Sequence, residues 1–240
     1  MNEKLSDFIE IINNAEDVIN GGWKTEHEPV TITVRPEADF SPAGEQDSRT
    51  VLNDSLETIA AEISRCRLCG LSAGRTFPVP GAGVVKPVVM FIGEGPGEEE
   101  DKCGIPIVGK AGQYLDKWLD AIGLEREKNC FIGNIIKCRP PNNRDPKAEE
   151  IAACRSYLSR QLLLIKPVII VTLGRFASQW ICRSEESIGR LRGRVHSYQG
   201  IPVIPTYHPS AVLKNQELRG AVWSDLKRVK ELADEIRQSS

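Results

Sequence analysis

The sequence has 240 residues, of which 40% are hydrophobic and 27% are charged, and its net charge at pH 7 is −2. This is the composition of an ordinary globular protein, long enough for one sizeable domain and an appendage. It excludes a membrane-spanning protein, because no apolar run approaches the ~18 residues that a span needs. We expect no membrane partner, and the lack of a signal-peptide core after Met1 predicts a cytoplasmic location.

Charge is distributed unevenly along the chain. Residues 1–65 carry 5 Lys/Arg and 14 Asp/Glu, whereas residues 126–230 carry 19 Lys/Arg and 8 Asp/Glu. A basic half indicates an anionic partner, and nucleic acid is one candidate because Lys and Arg neutralise its phosphates. The alternative is the ordinary solvated surface of helices.

The first 52 residues differ in pattern from the rest. Apolar residues recur at helical spacing between Leu5 and Ile19, and Gly21-Gly22 ends that pattern. The acidic segment that follows contains prolines and glycines and has little periodicity. We therefore predict an N-terminal helix and an acidic flexible linker over residues 1–52, followed by a folded domain over residues 53–240.

Within residues 53–240, short apolar segments alternate with amphipathic ones. Asp54 and Glu57 resemble a capping box for a helix that ends near Arg65, and Pro146 suits the first position of a later helix. The pattern predicts strands at residues 88–92, 130–136, 168–173 and 202–206, with helices at residues 111–122, 146–165, 174–180 and 218–236. This alternation predicts an α/β fold with a parallel sheet covered by helices on both faces.

A glycine-rich segment, Gly93-Glu94-Gly95-Pro96-Gly97, directly follows the first of these strands. Ligands bind beyond the carboxyl ends of strands in open α/β sheets, and exposed main-chain N–H groups there can stabilise an oxyanion. The segment lacks the spacing of a phosphate-binding loop. The alternative is a tight strand-to-helix connection without chemistry.

Seven cysteines are present, and in a reducing cytoplasm we do not expect them to form disulfides. Cys66 and Cys69 form a CxxC pair, and Cys138 and Cys154 are candidates for two further ligands. Four thiolates can hold Zn²⁺ or a [4Fe–4S] cluster, and the wide spacing of the second pair favours the cluster. The alternative is four unrelated buried thiols.

The motifs of residues 55–235 together resemble those of the iron–sulfur cluster-containing (family 4) uracil-DNA glycosylases. They occur in the family's order and comprise Cys66-x2-Cys69, Gly93-Glu94-Gly95-Pro96-Gly97, Gly109-x-Ala111-Gly112, Asn134-x3-Cys138-Arg139-Pro140-Pro141, Cys154 and His208-Pro209-Ser210. The N-terminal extension lies outside this resemblance.

The resemblance implies a three-layer α/β/α sandwich with a small parallel sheet and a structural [4Fe–4S] cluster on Cys66, Cys69, Cys138 and Cys154. It also implies a DNA-repair enzyme that flips uracil out of single- or double-stranded DNA and hydrolyses its N-glycosidic bond, leaving an abasic site. The alternatives are a non-catalytic iron–sulfur DNA-binding module accessory to replication and a glycosylase for another deaminated base. A zinc-dependent hydrolase is disfavoured because the chain has only three histidines.

The resemblance assigns the groups that act on the base. Asn134 would read the base edge, because its carboxamide offers a donor and an acceptor that match uracil O4 and N3–H. Backbone amides near Glu94 and Gly95, together with a neutral His208, would stabilise the negative charge that develops on uracil O2. Other uracil-DNA glycosylases carry a water-activating Asp at the position of Gly95, so we expect a dissociative path with late capture of water.

Two further residues complete the predicted pocket. Family 4 usually has an aromatic residue at the position of Ile107, so this isoleucine offers the base apolar contact without ring stacking. Glu100 is a candidate pocket wall near uracil C5 that would reject the methyl group of thymine.

The predicted DNA contacts lie near these motifs. Val212 and Leu213 would enter the space vacated by the flipped base, and Ser210 belongs to the same segment. The alternative for Val212 and Leu213 is that they are the first core residues of the next helix. The candidates for phosphate contacts are Lys137, Arg139, Arg144, Arg190, Arg192 and Arg194. We expect a monomer, with a replication or repair protein as a candidate partner of the N-terminal extension.

Overall fold

The computed structural model describes residues 54–239. The helix and acidic linker predicted over residues 1–52 lie outside the described residues, and so does the partner site predicted for them. No helix in the described part of the chain is both long enough and apolar enough to cross a bilayer.

Strands and helices alternate along the described chain. The strands are β1 (Ala82–Gly83), β2 (Val89–Gly93), β3 (Cys130–Asn134), β4 (Ile169–Leu173), β5 (His196–Tyr198) and β6 (Ile201–Thr206). The helices are α1 (Leu56–Arg65), α2 (Leu71–Gly74), α3 (Glu98–Cys103), α4 (Gly109–Ala121), α5 (Ala148–Ile165), α6 (Arg175–Cys182), α7 (Ile188–Leu191), α8 (Pro209–Lys214) and α9 (Arg219–Ser239). Short 3₁₀ turns occupy Pro141–Asn143 and Gln216–Leu218.

The strands form one sheet in the order β1-β3-β2-β4-β6-β5. The four central strands are parallel, whereas β1 and β5 are antiparallel to their neighbours. From β2 in the middle the chain moves to β3 on one side and then crosses to β4 and β6 on the other. This reversal creates a switch point, and open α/β sheets bind ligands beyond the carboxyl ends of strands at such a point.

Side chains of the central strands alternate between two buried cores. Met90 and Ile92 of β2 pack on one side with α1, α5 and α6, whereas Val89 and Phe91 pack on the other side with α4 and α9. The strands are buried on both faces, which explains their continuous apolar sequences. The predicted three-layer α/β/α sandwich is confirmed.

The details differ from prediction in four places. α5 begins at Ala148 with Lys147 as its N-cap residue, so Pro146 precedes the helix instead of opening it. The edge strands β1 and β5 were not predicted, because two and three residues are too few for a periodic signal. β3 ends at Asn134 rather than at residue 136, because the next two amides bond to the loop after β2. Ser55 caps α1 by accepting the N–H of Thr58, so the predicted cap at Asp54 is wrong.

Candidate active site and cysteine cavity

The predicted pocket residues lie at the carboxyl edge of the sheet. The glycine loop (Gly93–Gly97) begins at the last residue of β2, Asn134 ends β3, and His208 lies just beyond β6. Neighbouring strands are about 4.8 Å apart, so three spacings, or ~14 Å, separate β3 from β6. The carboxyl ends of β2 and β4 lie between them. Asn134 and His208 therefore flank the switch point.

Asn134 is a buried amide without a partner. Asn134 is only 1% exposed, and neither Oδ1 nor Nδ2 of its side chain hydrogen-bonds to any described residue. It faces Gly93 in the register of β2 and β3, and a Cβ on Gly93 would collide with Oδ1 of Asn134. Glycine at position 93 therefore keeps the space that the carboxamide occupies.

Main-chain carbonyls of the glycine loop accept hydrogen bonds from the residues that directly follow β3. Ile135 and Ile136 donate their N–H groups to the carbonyls of Gly93 and Glu94, at 3.0 and 3.1 Å. A Cβ on Gly95 would lie 2.6 Å from Cγ1 of Ile136, so the close approach requires glycine. No described residue accepts a hydrogen bond from the N–H of Gly95, which leaves this donor free to meet an oxyanion.

Glu94 lies in the same loop with a half-buried carboxyl group. Burial, and next the negative charge of Asp145, raise its pKa to about 7, although Arg175 acts in the opposite direction. The carboxyl is therefore partly protonated near neutral pH, a perturbation that is common in functional sites.

His208 is held as a neutral imidazole. His208 caps α8, because its Nδ1 accepts the N–H of Ser210 at 3.2 Å; the same atom lies 2.8 Å from the Ser210 hydroxyl oxygen. An acceptor at Nδ1 places the ring hydrogen on Nε2. Burial lowers the pKa of His208 to about 4. Gly174, which directly follows β4, lies against Cβ of His208: a Cβ at position 174 would be 3.3 Å from it.

Glu100 connects two loops of the pocket. Its Oε2 accepts the N–H of Gly97 at 3.0 Å, and its Oε1 accepts the N–H of Val108 at 2.7 Å. The carboxylate thus joins the glycine loop to the segment that carries Ile107. Contact between Glu100 and a base stays a prediction.

Ile107 is buried beside Asn134 in a strained conformation. Its φ of +46° lies in the left-handed region, which costs a β-branched residue about 1–3 kcal/mol. A Cβ on Gly93 would lie 3.4 Å from Cδ1 of Ile107, so the isoleucine adjoins the space at Asn134. The structure therefore brings Gly93, Asn134 and Ile107 together, as the motifs predict.

Arg126 holds the strained segment and was not singled out in the sequence. Its guanidinium donates to the carbonyls of Pro106 at 3.1 Å, Ile107 at 2.7 Å and Gly112 at 3.3 Å, and it pairs with Asp116. No periodic or motif signal marks such a residue, because its acceptors are main-chain oxygens of a loop about twenty positions earlier.

Three predicted DNA contacts are corrected by the structure, and a fourth, Arg144, is ion-paired. Lys137 is 1% exposed and bonded internally, and Val212 is fully buried in the core, so both predictions are wrong. Arg192 pairs with buried Asp225, and Arg144 pairs with buried Glu150 through both of its terminal nitrogens. The Arg192 guanidinium therefore serves the fold instead of presenting a free charge to phosphate. The Arg144 side chain stays 36% exposed, so its contact with DNA remains a prediction.

Other predicted contacts remain accessible. Arg190 and Arg194 are exposed, and Leu213 is 39% exposed. Arg139 is bonded to Asn143 and Glu98 but keeps a quarter of its side chain exposed. Ser210 contacts His208, as described above. Their contact with DNA stays a prediction.

The four predicted ligand cysteines line one cavity, here called the cysteine cavity. Cys66, Cys69, Cys138 and Cys154 share it with other residues that include Ile63, Arg75, Lys137 and Tyr157. Among residues 54–239, no three His, Cys, Asp or Glu side chains converge closely enough for a single metal ion. In a [4Fe–4S] cluster each thiolate binds a different iron, so four thiolates stand further apart than around one ion.

Hydrogen bonding and burial define the thiols of this cavity. Arg75, which the sequence did not point to, donates to Sγ of Cys138 at 3.0 Å and to the carbonyl of Ser64 at 2.6 Å. Burial raises the pKa of the Cys138 thiol, and raises that of Cys154 to about 11. Without a metal these thiols are protonated, and metal coordination would deprotonate them.

Known proteins match this chain across the site. The uracil DNA glycosylase superfamily profile matches residues 80–227. The type-4 uracil-DNA glycosylase of Sulfurisphaera tokodaii is 47% identical over 189 residues, covering 75% of this chain and 86% of that protein. The corresponding protein of Archaeoglobus fulgidus is 46% identical over 187 residues, covering 75% and 94%. A type-5 uracil-DNA glycosylase of Pyrobaculum aerophilum is 31% identical over 154 residues, covering 58% and 68%.

The matched region encloses the glycine loop, Asn134 and His208. The family predicted from the motifs is confirmed, because the profile covers more than half of the chain and type-4 relatives are nearly half identical to it. The chain belongs to the uracil-DNA glycosylase superfamily.

Proposed function

We propose that this protein is a DNA-repair glycosylase that takes a uracil nucleotide flipped out of DNA and hydrolyses its N-glycosidic bond. The observation that carries this proposal is Asn134. A buried amide with both polar atoms unpaired costs about 1–3 kcal/mol for each atom. Uracil O4 and N3–H offer the acceptor and donor that would satisfy both atoms.

Selectivity for uracil follows from the same pairing. Asn134 would donate from Nδ2 to O4 and accept N3–H at Oδ1. Cytosine presents a donor in place of O4 and an acceptor in place of N3–H, so it would leave buried groups unpaired. Ile107 would contact the ring as an apolar wall, without the stacking that an aromatic residue supplies.

Departure of the base requires stabilisation of negative charge. When the bond between C1′ and N1 breaks, its electron pair goes to the uracil ring, largely to O2, and the sugar gains oxocarbenium character. The free N–H of Gly95 and the Nε2–H of His208 are the donors that would meet O2. A neutral His208 keeps its proton through this step, because its lowered pKa opposes protonation of Nδ1.

Water completes the reaction at C1′. Its oxygen bonds to C1′, and the proton it loses passes to solvent or to a nearby base. The position of Gly95 offers no carboxylate for this purpose. The nearby carboxyl of Glu94, with its pKa raised to about 7, is a candidate acceptor for that proton at neutral pH.

We also infer that Cys66, Cys69, Cys138 and Cys154 hold a [4Fe–4S] cluster, which would order the surrounding loops. Their convergence on one cavity and the Arg75 donor to Cys138 both support this. A hydrogen bond to a ligand sulfur is a usual feature of such sites.

The partner would be uracil-containing DNA, single- or double-stranded. Arg139, Arg190 and Arg194 would contact phosphates, and Ser210 and Leu213 lie beside the pocket motif where the vacated stack would be. A monomeric state and a cytoplasmic location remain predictions from the sequence.

The direct test is excision of uracil from an oligonucleotide that carries one uracil, followed by alkaline cleavage at the abasic site. Wild-type protein should cleave, and Asn134→Ala should lose about 100-fold or more in kcat/KM, because two hydrogen bonds to the base disappear. Asn129→Ala is the matched control: Asn129 precedes β3 at its opposite end, and its side chain bonds only to residues within six positions along the chain.

The control variant should cleave like wild type. Absence of cleavage by iron-loaded wild type, or full activity in Asn134→Ala, would refute the proposal. Parallel oligonucleotides with hypoxanthine or xanthine decide between substrates, since cleavage of those alone would assign the pocket to another deaminated base.

A further inference from the structure

Lys137 is a lysine buried next to the base-reading position. It is 1% exposed, and its ammonium donates to the main-chain carbonyl of Asn134 at 2.8 Å and to Oε1 of Gln161 at 2.7 Å. Gln161 is 2% exposed and donates in turn to the carbonyl of Pro80 at 2.7 Å. Lysine is almost never fully buried unless its charge is paired, so this position requires an explanation.

The hydrogen-bond acceptors of Lys137 are both neutral. No carboxylate within residues 54–239 forms an ion pair with it; its bonds are those to Asn134 and Gln161. However, Lys137 lines the cysteine cavity together with Cys138 and Cys154. Four thiolates around a [4Fe–4S] core leave a net negative charge, and a buried ammonium is stable only beside such an opposite charge.

The segment that carries Lys137 is short and fixed at both ends. Asn134 ends β3, and the next two amides bond to the glycine loop. The carbonyl of Lys137 accepts the N–H of Val79 at 2.8 Å, and Cys138 follows directly. Only three residues therefore separate the residue that reads the base from a predicted cluster ligand.

We propose that Lys137 is a positioning residue that joins the cysteine cavity to the base pocket, as the counter-charge of the cluster and the hydrogen-bond donor that fixes the end of β3. This inference rests on the proposed function and on its cluster. The ammonium holds the carbonyl of Asn134, and so it sets the direction in which the unpaired carboxamide points.

The test compares iron-loaded wild type with Lys137→Met, which keeps the length of the side chain and removes its charge. We expect the reduction potential of the cluster to shift to more negative values, because a nearby positive charge favours the reduced form. We also expect kcat/KM for uracil excision to fall by about 10- to 100-fold, the usual effect of losing a supporting contact around a metal site. A purely structural role would not move the potential.

Lys147→Met is the matched control. Lys147 is an exposed lysine near the cavity loops whose ammonium pairs with Glu149, and solvent screens its charge. This variant should leave both the potential and kcat/KM at wild-type values.

Gln161→Glu keeps the proposal testable if Lys137→Met does not accumulate with iron. It places a carboxylate at hydrogen-bond distance from the Lys137 ammonium. The negative charge of the carboxylate offsets the positive charge, while the lysine itself is retained. The potential should again shift to more negative values. A potential unchanged in both variants relative to Lys147→Met, or a wild type that carries no iron, would overturn the proposal.

The two readouts also separate this inference from the proposed function. If the variants shift the reduction potential but wild type excises no uracil, the charge coupling is supported and the proposed glycosylase function is refuted. If wild type excises uracil but the variants leave the potential unchanged, the glycosylase function is supported and the charge coupling is refuted.

Discussion

Two buried regions meet at the end of β3, and they treat polar groups in opposite ways. On the pocket side, both atoms of the Asn134 carboxamide and the N–H of Gly95 lack partners among the described residues. On the cavity side, Lys137, Gln161 and Arg75 are all hydrogen-bonded. The two regions are only a few residues apart along the chain.

On the proposed function, this difference reflects how long each region would hold its ligand. A base that enters and leaves must find donors and acceptors that are unpaired in its absence, at a cost in stability. A cluster that stays is part of the fold, and the groups around it are paired permanently. Changes on the pocket side should therefore alter activity with little loss of stability, whereas changes on the cavity side should affect iron and stability first.

The largest expected effect is on the cavity side. Cys138→Ala removes a proposed cluster ligand, whose sulfur also accepts the hydrogen bond of Arg75. The protein should lose its iron, and its Tm should fall by about 10 °C, because metal binding contributes directly to folding. Iron analysis, the visible spectrum and calorimetry measure this.

Cys182→Ala is the control for that loss, since Cys182 ends α6 and lies outside the residues that line the cavity. It should keep its iron and lose at most a few degrees. Equal losses in the two variants would contradict the assignment of the cavity.

Gly93→Ala should break the pocket and spare the cavity. The new Cβ would collide with Oδ1 of Asn134 and would touch Ile107. We expect kcat/KM to fall about 100-fold, the effect of a misplacement near 1 Å, with unchanged iron content. Gly220→Ala, where a Cβ meets nothing within 4 Å, should retain full activity. Loss of iron in Gly93→Ala would show that the two regions cannot be separated.

His208 should remain neutral well below pH 6.5. The pKa of His208 in the folded state is lowered to about 4. Between pH 6.5 and 4 the unfolded chain therefore takes up a proton that the folded chain does not, and the free energy of unfolding decreases as the pH is lowered through that window. NMR of ¹⁵N-labelled histidine should show the ring hydrogen on Nε2 at pH 5 to 8. A titration midpoint near 6.5, or a hydrogen on Nδ1, would contradict the role given to this residue.

The smallest expected effect is that of Glu94 on stability, and its dependence on pH is opposite in sign to that of His208. Its folded pKa is raised to about 7, so the folded state holds the extra proton between pH 4.5 and 7, and stability decreases as pH rises through that window. Glu94→Gln should therefore have a higher Tm than wild type at pH 8 and a similar Tm at pH 5. Glu99→Gln, at an exposed position, should show no such difference. Identical pH profiles for wild type and Glu94→Gln would disprove the raised pKa.

Much of the fold followed from local pattern. Apolar runs such as that of β4 predicted strands buried on both faces, and their alternation with helices predicted the sandwich. The short edge strands could not be predicted in this way, since β1 and β5 exist only through pairing with β3 and β6. Their register is a tertiary property.

The candidate site divided along the same line. Asn134, His208 and the glycine loop could be singled out because each is a residue type with a particular chemistry at the end of a strand. Arg126 and Arg75 could not, because they act on main-chain carbonyls and a sulfur that only folding brings near them. Gln161 was missed for the same reason, since its partner Pro80 lies 81 positions away.

The sequence by itself determined the architecture, the four candidate cysteines, the family and the candidate residue for reading the base, because these depend on short-range pattern and side-chain chemistry. Only the tertiary structure decided which charged residues reach solvent. Lys137 and Arg192 read as phosphate contacts in the sequence, yet one is buried and the other is paired with Asp225, 33 positions later. Burial and ion pairing depend on packing between distant segments, and no local pattern records that packing.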